Sequence, residues 1–75
     1  MTAIIHLKNG DCTTVSNLLE ILVNYGSNFD IERIPIEKIE NFKLSFGSWC
    51  TFVSDCSKVT FNADVIQFIE FKNKL

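Results

Sequence analysis

Apolar side chains recur at every second position near the N-terminus, which is the periodicity of a β-strand with one buried face. Ala3, Ile5 and Leu7 would share one side of such a strand. Asn9-Gly10 follows, and this pair readily adopts the positive φ angles of a two-residue hairpin turn. The segment 12–15 then has the β-branched residues of a return strand. The sequence therefore predicts a β-hairpin over residues 3–15.

The next segment has apolar residues at helical spacing. Asn17 is suited to cap a helix, and Glu20 would then stand at the third helical position. Gly26 offers a left-handed stop. We predict a short helix over residues 17–25, with a strand as the competing interpretation because this segment is apolar on most sides. Four residues would share the buried face of the helix: Leu18, Ile21, Leu22 and Tyr25.

The rest of the chain alternates in short runs typical of strands. Phe29 and Ile31 predict a strand that ends at Pro35, and Ile36 with Ile39 indicates one helical turn or an irregular corner. Further elements are a second hairpin over 42–53 that is broken at Gly47-Ser48, a polar turn at 54–57, strands over 59–61 and 65–71, and a bend at 62–64 between them. The last strand is apolar on nearly both faces and needs cover on both.

These elements define a fold class. We expect one small domain over residues 1–75 that is mainly β with one short helix (α+β), arranged as a strongly bent antiparallel sheet or a partly open barrel. A chain of 75 residues buries roughly 60% of its surface. Apolar burial then contributes on the order of 110 kcal/mol, and ordering the chain costs about the same. A chain so close to balance gains stability by self-association, so we expect a homo-oligomer.

Charge and cysteine content restrict the partners and the cellular compartment that we expect for this protein. Seven basic and nine acidic side chains give a net charge of −2, which disfavours a duplex-binding protein. Three cysteines leave at least one thiol unpaired in any monomer, unlike the even sets of secreted scaffolds. The sequence has no signal peptide and no apolar run that would span a bilayer. We therefore expect a reduced, cytoplasmic protein without a membrane partner.

The residue types that carry chemistry are few and scattered. His6, Cys12, Cys50 and Cys56 are the available soft metal ligands, and they lack the C-x₂-C or H-x₃-H spacing of a metal site. One histidine leaves a single candidate base for nucleophilic catalysis. The three glycines stand singly, so no phosphate loop is present. We expect no catalytic residue, no metal and no cofactor.

Aromatic residues around one glycine turn are the candidates for binding. Trp49 stands beside Gly47-Ser48, where it either covers the core or is presented to a partner. We predict partner contacts by four residues, because buried aromatic anchors dominate interface energies: Trp49, Phe46 and Phe52, with Asp55 at the neighbouring turn. Tyr25 and Arg33 are further candidates of the same kind.

Two segments resemble the Sm-like RNA-binding barrels. Residues 4–10 are similar to the opening strand of that family, and residues 59–69 are similar in spacing to its closing pair of strands. The resemblance implies a small β-barrel, and in that family the two strands flank a loop that meets RNA in a ring-shaped oligomer. Asn62 and Ala63 stand where the family has an arginine-glycine pair, so the RNA-binding residues are not matched.

Three functions follow from these observations. The leading hypothesis is a non-catalytic protein-interaction module whose acidic surface steers it to a basic protein partner. The first alternative is an Sm-like oligomer that binds single-stranded RNA through Lys58, Lys72 and Lys74. The second is an oligomer that sequesters a small ligand between subunits. In overall composition the chain resembles small accessory proteins of phages and mobile elements, including inhibitors of host defence.

Overall fold

Seven strands form two antiparallel sheets in the computed structural model, which describes residues 1–26 and 31–73. The strands are β1 (Thr2–Leu7), β2 (Cys12–Val15), β3 (Leu18–Asn24), β4 (Ile31–Pro35), β5 (Trp49–Ser54), β6 (Lys58–Asn62) and β7 (Ile66–Lys72). One sheet has the order β2-β1-β7 and the other the order β4-β3-β5-β6. Two 3₁₀ helices, η1 (Ile36–Asn41) and η2 (Ala63–Val65), connect strands. The prediction of a mainly β, antiparallel fold is confirmed.

The N-terminal hairpin is confirmed, but its turn differs from the prediction by one residue. β1 and β2 pair with Ala3 opposite Val15. The Leu7 N–H donates to the Asp11 carbonyl at 2.8 Å, and the Gly10 N–H donates to the Leu7 carbonyl at 3.0 Å. The loop therefore has three residues, and of these Gly10 takes the positive φ, at 99°. This is the geometry of a turn that ends in a glycine bulge, which tolerates most residues at the other loop positions.

The predicted helix over 17–25 is wrong, because this segment forms β3. Asn17 has a φ of 57°, which turns the chain sharply between β2 and β3 instead of capping a helix. The register shifts between Leu18 and Glu20, so Leu19 is an extra residue that bulges out of the ladder with β5. The bulge places Leu18 and Ile21 on the same buried face although they are three residues apart. The bulge thus gives the buried residues of β3 a spacing of three, which resembles the spacing on one face of a helix.

The segment after β4 holds one confirmed element and one error. The strand ending at Pro35 and the helical turn after it are confirmed as β4 and η1, whereas Phe29 lies outside the described residues. The second hairpin over 42–53 is wrong, because residues 42–45 join no ladder and β5 pairs with β3 and β6 instead. Phe42 packs edge-to-face on Phe71, with ring centroids 6.3 Å apart. Its apolar side chain therefore serves packing, not strand pairing.

The core lies between the inner faces of the two sheets. It includes Ile5 from β1, Ile21 from β3 and Phe52 from β5, each fully buried. The polar side chains within it are satisfied, since the Ser48 hydroxyl donates to the Ser45 carbonyl at 2.7 Å. The other buried apolar members are Ala3, Val15, Leu18, Val23, Ile34, Cys50, Ala63 and Ile66.

β7 forms as predicted and covers the core with one face. Ile66 is buried, and Ile69 and Phe71 pack against the core. On the opposite face Phe68 is 46% exposed and stacks on His6 of β1, with ring centroids 4.2 Å apart. In the described part of the chain no ladder joins β7 to β6, so the two sheets do not close on each other along this side. No helix among the described residues is long and apolar enough to cross a membrane.

Candidate interaction surface

Strand alternation separates the four predicted contact residues. Phe46 is 92% exposed and Trp49 is 48% exposed, whereas Phe52 is fully buried. Trp49 and Phe52 are three residues apart on β5 and therefore point to opposite faces of the sheet. The prediction of Phe52 as a contact residue is corrected, because its side chain lies in the core and cannot reach a partner.

Phe46 is presented by a hydrogen-bonded tight turn. The Ser48 N–H donates to the Ser45 carbonyl at 3.1 Å, which closes a four-residue turn with Phe46 at its second position. Gly47 takes the third position with a φ of 85°, a conformation that disfavours residues with a Cβ. The glycine therefore allows Phe46 to point away from the molecule.

The same turn is attached to η2 by two further bonds. The Gly47 N–H donates to Asp64 Oδ1 at 2.9 Å, and the Ala63 N–H donates to the Ser48 carbonyl at 2.8 Å. Asn62 caps η2 by accepting from the Asp64 N–H at 2.9 Å. These bonds hold the turn in one orientation, so Phe46 is exposed on a preorganised support.

Trp49 lies in a row across the outer face of the four-stranded sheet. Asn24 of β3 pairs with Trp49 on one side and with Ile31 of β4 on the other. Directly paired residues share a face, so Ile31, which is 57% exposed, lies on the same face as Trp49. Ile31 was not among the predicted contact residues, because its alternation indicated a strand without showing which face is exposed.

Tyr25 lies at the same end of the sheet, next to Asn24 along the chain. It directly follows β3 and is 48% exposed. Its hydroxyl donates to Glu32 Oε1 at 2.7 Å, and this hydrogen bond to a carboxylate raises the pKa of Tyr25 above its usual value of 10.0. Desolvation also raises the pKa of Tyr25, whereas a hydrogen bond with Ser45 lowers it. We refer to the exposed set Tyr25, Ile31, Phe46 and Trp49 as the aromatic end.

Asp55 and Arg33 lie away from the aromatic end. Asp55 follows the last residue of β5, roughly 20 Å along the chain direction of the strand from Trp49. Its Oδ2 accepts a hydrogen bond from Asn17 Nδ2 at 3.3 Å, so it braces the corner between β2 and β3. Arg33 on β4 pairs with Glu20 at 3.4 Å. The structure therefore places Phe46 and Trp49 at the same end of β5 and Asp55 at the other end.

The soft metal ligands and the histidine do not converge. His6 Nε2 lies 2.8 Å from Glu70 Oε1 on the outer face of the three-stranded sheet, and Cys12 is its partner in register. Cys50 is buried in the core, where desolvation raises the pKa of its thiol above 9.0, and Cys56 is exposed in the β5–β6 turn. The described residues include no group of three or more histidine, cysteine or acidic side chains positioned for a metal.

An apolar groove lies on the other side of η2. Its volume is about 430 Å³, and six residues line it: Leu7, Lys8, Asn9, Phe61, Asp64 and Val65. Val65 is 46% exposed at its edge. Asp64 belongs both to this groove and to the bond that holds the Phe46 turn. The groove was not predictable from local patterns, because its walls come from two segments, residues 7–9 and 61–65, that are far apart in the chain.

Comparisons of the chain with protein families, with curated proteins and with solved structures found no match.

Proposed function

We propose that this protein is a non-catalytic interaction module that binds another protein through its aromatic end, with Phe46 and Trp49 as the anchors. The supporting observation is the 92% exposure of Phe46 on a turn held by hydrogen bonds within the turn and to η2. The scaffold for this surface is a strongly bent, partly open β structure. In this proposal the protein acts in the cytoplasm as a small accessory protein or inhibitor that occupies a surface of its target.

Energetics favour an anchor of this kind. Exposed Phe46 gains favourable transfer free energy when a partner buries it, and a hot-spot aromatic contributes about 2 kcal/mol or more to affinity. Because the turn is already ordered, binding does not incur the entropy cost of fixing a flexible loop. Trp49 adds a second aromatic surface on an adjoining strand.

Charge supports a partner with basic residues around its apolar pocket. The chain carries a net charge of −2, and two carboxylates, Glu32 and Asp64, lie beside the aromatic end. Complementary charge around an apolar anchor speeds association and suppresses wrong partners.

The test is capture from a nuclease-treated lysate of the source organism, with the immobilised chain and its variants compared side by side. We expect a specific protein to bind the wild type and to be lost with Phe46→Ser and with Trp49→Ala. Leu19→Ser is the matched control, because Leu19 is 50% exposed at the opposite end of β3. Circular dichroism confirms that each variant is folded.

Two results contradict the proposal. A captured protein that binds Phe46→Ser as well as wild type removes the aromatic end from the interface. Capture that disappears on nuclease treatment, together with RNA that elutes from the untreated sample, supports the RNA-binding alternative. If Trp49→Ala unfolds, Trp49 is required for the fold, and Phe46→Ser alone then tests the anchor.

A further inference from the structure

We propose that the apolar groove beside η2 is the docking site for Phe46 of a second copy of this chain, so that two copies exchange their Phe46 side chains around a two-fold axis. The inference deepens the proposed function, because it rests on Phe46 being an anchor and names one partner for it.

The groove has the size and the chemistry for an aromatic ring. Leu7, Phe61 and Val65 supply apolar walls, and the volume is about 430 Å³. A cavity of about 150 Å³ is enough to hold a benzene molecule. The groove therefore has room for the phenyl ring of Phe46 and for part of the turn that carries it.

Both halves of the contact are exposed in the single chain. Phe46 is 92% exposed and Val65 is 46% exposed, so the chain's own residues leave Phe46 almost uncovered and Val65 half-exposed. One molecule thus displays an apolar side chain and an apolar groove that complement each other. Such a pair on one surface favours contact between copies over a solitary monomer.

The position of the two features favours a closed dimer over an open chain. Asp64 lines the groove, and its Oδ1 accepts the hydrogen bond from Gly47 of the Phe46 turn. The Lys8 N–H donates to the Val65 carbonyl at 2.9 Å, which fixes η2 to the β1–β2 turn. The anchor and the groove therefore share one rigid support and are close neighbours. A two-fold axis near η2 lets both contacts form at once.

The charges on the rim are self-complementary. Lys8 and Asp64 line the same groove with opposite sign. In a two-fold contact, residue i of one copy faces residue j of the other and the reverse also holds. Lys8 of each copy can then approach Asp64 of the other, which adds attraction between the copies.

The experiment measures mass against concentration by sedimentation equilibrium. We expect wild type to be a dimer, and Phe46→Ser and Val65→Glu each to dimerise more weakly by about thirtyfold or more for each of the two equivalent hot-spot contacts that the variant dimer loses. Phe68→Ser and Leu19→Glu are controls, because these exposed apolar side chains lie elsewhere on the surface, with exposed fractions close to that of Val65, and should leave the dimer intact. Val65→Lys repeats the groove test with the opposite charge.

Mixing separates this contact from a general apolar patch. Phe46→Ser keeps its groove and Val65→Glu keeps its anchor, so an equimolar mixture retains one of the two contacts. We expect the mixture to form a one-to-one heterodimer that is weaker than the wild-type dimer and stronger than either variant alone.

Four outcomes overturn the inference. They are a wild-type monomer at every concentration, a Val65→Glu dimer as tight as wild type, a mixture without heterodimer, and wild-type mass that grows past the dimer. None of them affects the proposed function, which is tested by the loss of partner capture with Phe46→Ser. Conversely, if Phe46→Ser captures the partner as well as wild type does but the masses are those expected, the proposed function is contradicted and the dimer is supported.

Discussion

Burial sets the chemical behaviour of the three cysteines. Cys12 and Cys56 are exposed, whereas Cys50 is fully buried and burial raises the pKa of its thiol above 9.0. Only the thiolate is nucleophilic, so a buried thiol with a raised pKa reacts slowly.

We predict that a disulfide exchange reagent titrates two thiols rapidly in the native protein and the third only after unfolding. The readout is absorbance of the released chromophore at pH 8 with and without denaturant. The double variant Cys12→Ser/Cys56→Ser should show no rapid phase. Three equally fast thiols in the native protein would contradict the buried position of Cys50.

Tyr25 provides a second residue-scale prediction, because it is the one tyrosine in the sequence. Its pKa is raised above 10.0, chiefly by the hydrogen bond to Glu32. The folded state therefore holds this proton more tightly than the unfolded state. The stability it contributes is complete below pH 10 and is lost as the pH rises through the folded pKa. An absorbance titration of tyrosinate should give a midpoint above 10.

Glu32→Gln should move that midpoint back toward 10, since the neutral amide no longer favours the protonated hydroxyl. Glu37→Gln is the matched control and should leave it unchanged, because Glu37 is exposed in η1. A wild-type midpoint at or below 10 would contradict the contact between Tyr25 and Glu32.

Individual side-chain positions were partly predictable from alternation alone. Odd and even positions of β5 face opposite sides, so the sequence contains the information that Trp49 and Phe52 cannot share a surface. Which of the two faces is buried depends on the partner strands, and the sequence does not reveal these. The core position of Phe52 therefore required the structure.

At the scale of elements, the corner between β2 and β3 shows why local patterns mislead. Asn17 suits both a helix cap and a left-handed turn, and the bulge at Leu19 gives the strand a spacing of three. Both local signals for a helix were real, and tertiary pairing with β4 and β5 decided the outcome. The 3–15 hairpin was predictable because its alternation and its turn residues agree.

We predict that Asn17→Val destabilises the protein by about 1–2 kcal/mol, because a β-branched residue is strained at a positive φ. Asn17→Gly should cost less than half as much, since glycine accepts this conformation. Asp55→Ala removes the hydrogen bond to Asn17 and isolates its contribution. Urea unfolding followed by circular dichroism gives the free energies of unfolding. Equal losses for Val and Gly at position 17 would show that the backbone conformation is not the cause.

The segment from Phe42 to Phe46 illustrates the limit of alternation. It alternates as cleanly as the true strands, yet Phe42 and Leu44 pack on the core while Phe46 points to solvent. A strand needs a neighbour with free hydrogen-bonding groups, and β3 and β6 already occupy both edges of β5. No local feature of the sequence indicates that both edges of β5 are already paired.

On the scale of the whole molecule, Phe46 and Phe52 should respond oppositely to truncation. Phe52→Ala removes a fully buried ring and should cost about 3–5 kcal/mol, which is comparable to the total stability of a small domain. In the monomer, at concentrations too low for the proposed dimer, Phe46→Ala should change stability by less than about 0.5 kcal/mol, because the ring is 92% exposed.

Urea unfolding measures both changes, and Phe52→Leu provides a milder core variant if Phe52→Ala does not fold. A large loss with Phe46→Ala would mean that this ring is covered in solution. If Phe46→Ala loses stability at high protein concentration and this loss vanishes on dilution, the protein behaves as expected of the proposed dimer.

The overall class was predictable, whereas the division into two sheets was not. Short alternating runs and turn residues indicate an antiparallel β protein from the sequence. The order of strands depends on contacts between distant segments, such as β1 with β7. The groove arises from this same pairing, since Leu7, Phe61 and Val65 meet only after the sheets have formed.

The pairing of β1 with β7 has a consequence for synthesis. β1 has β2 as one neighbour and β7 as the other, with Thr2 opposite Lys72. During translation the hairpin can close early, but the second edge of β1 stays open until residues 66–72 have left the ribosome. A nascent chain arrested before residue 66 therefore displays an unpaired strand edge, which is the type of surface that invites aggregation and chaperone binding.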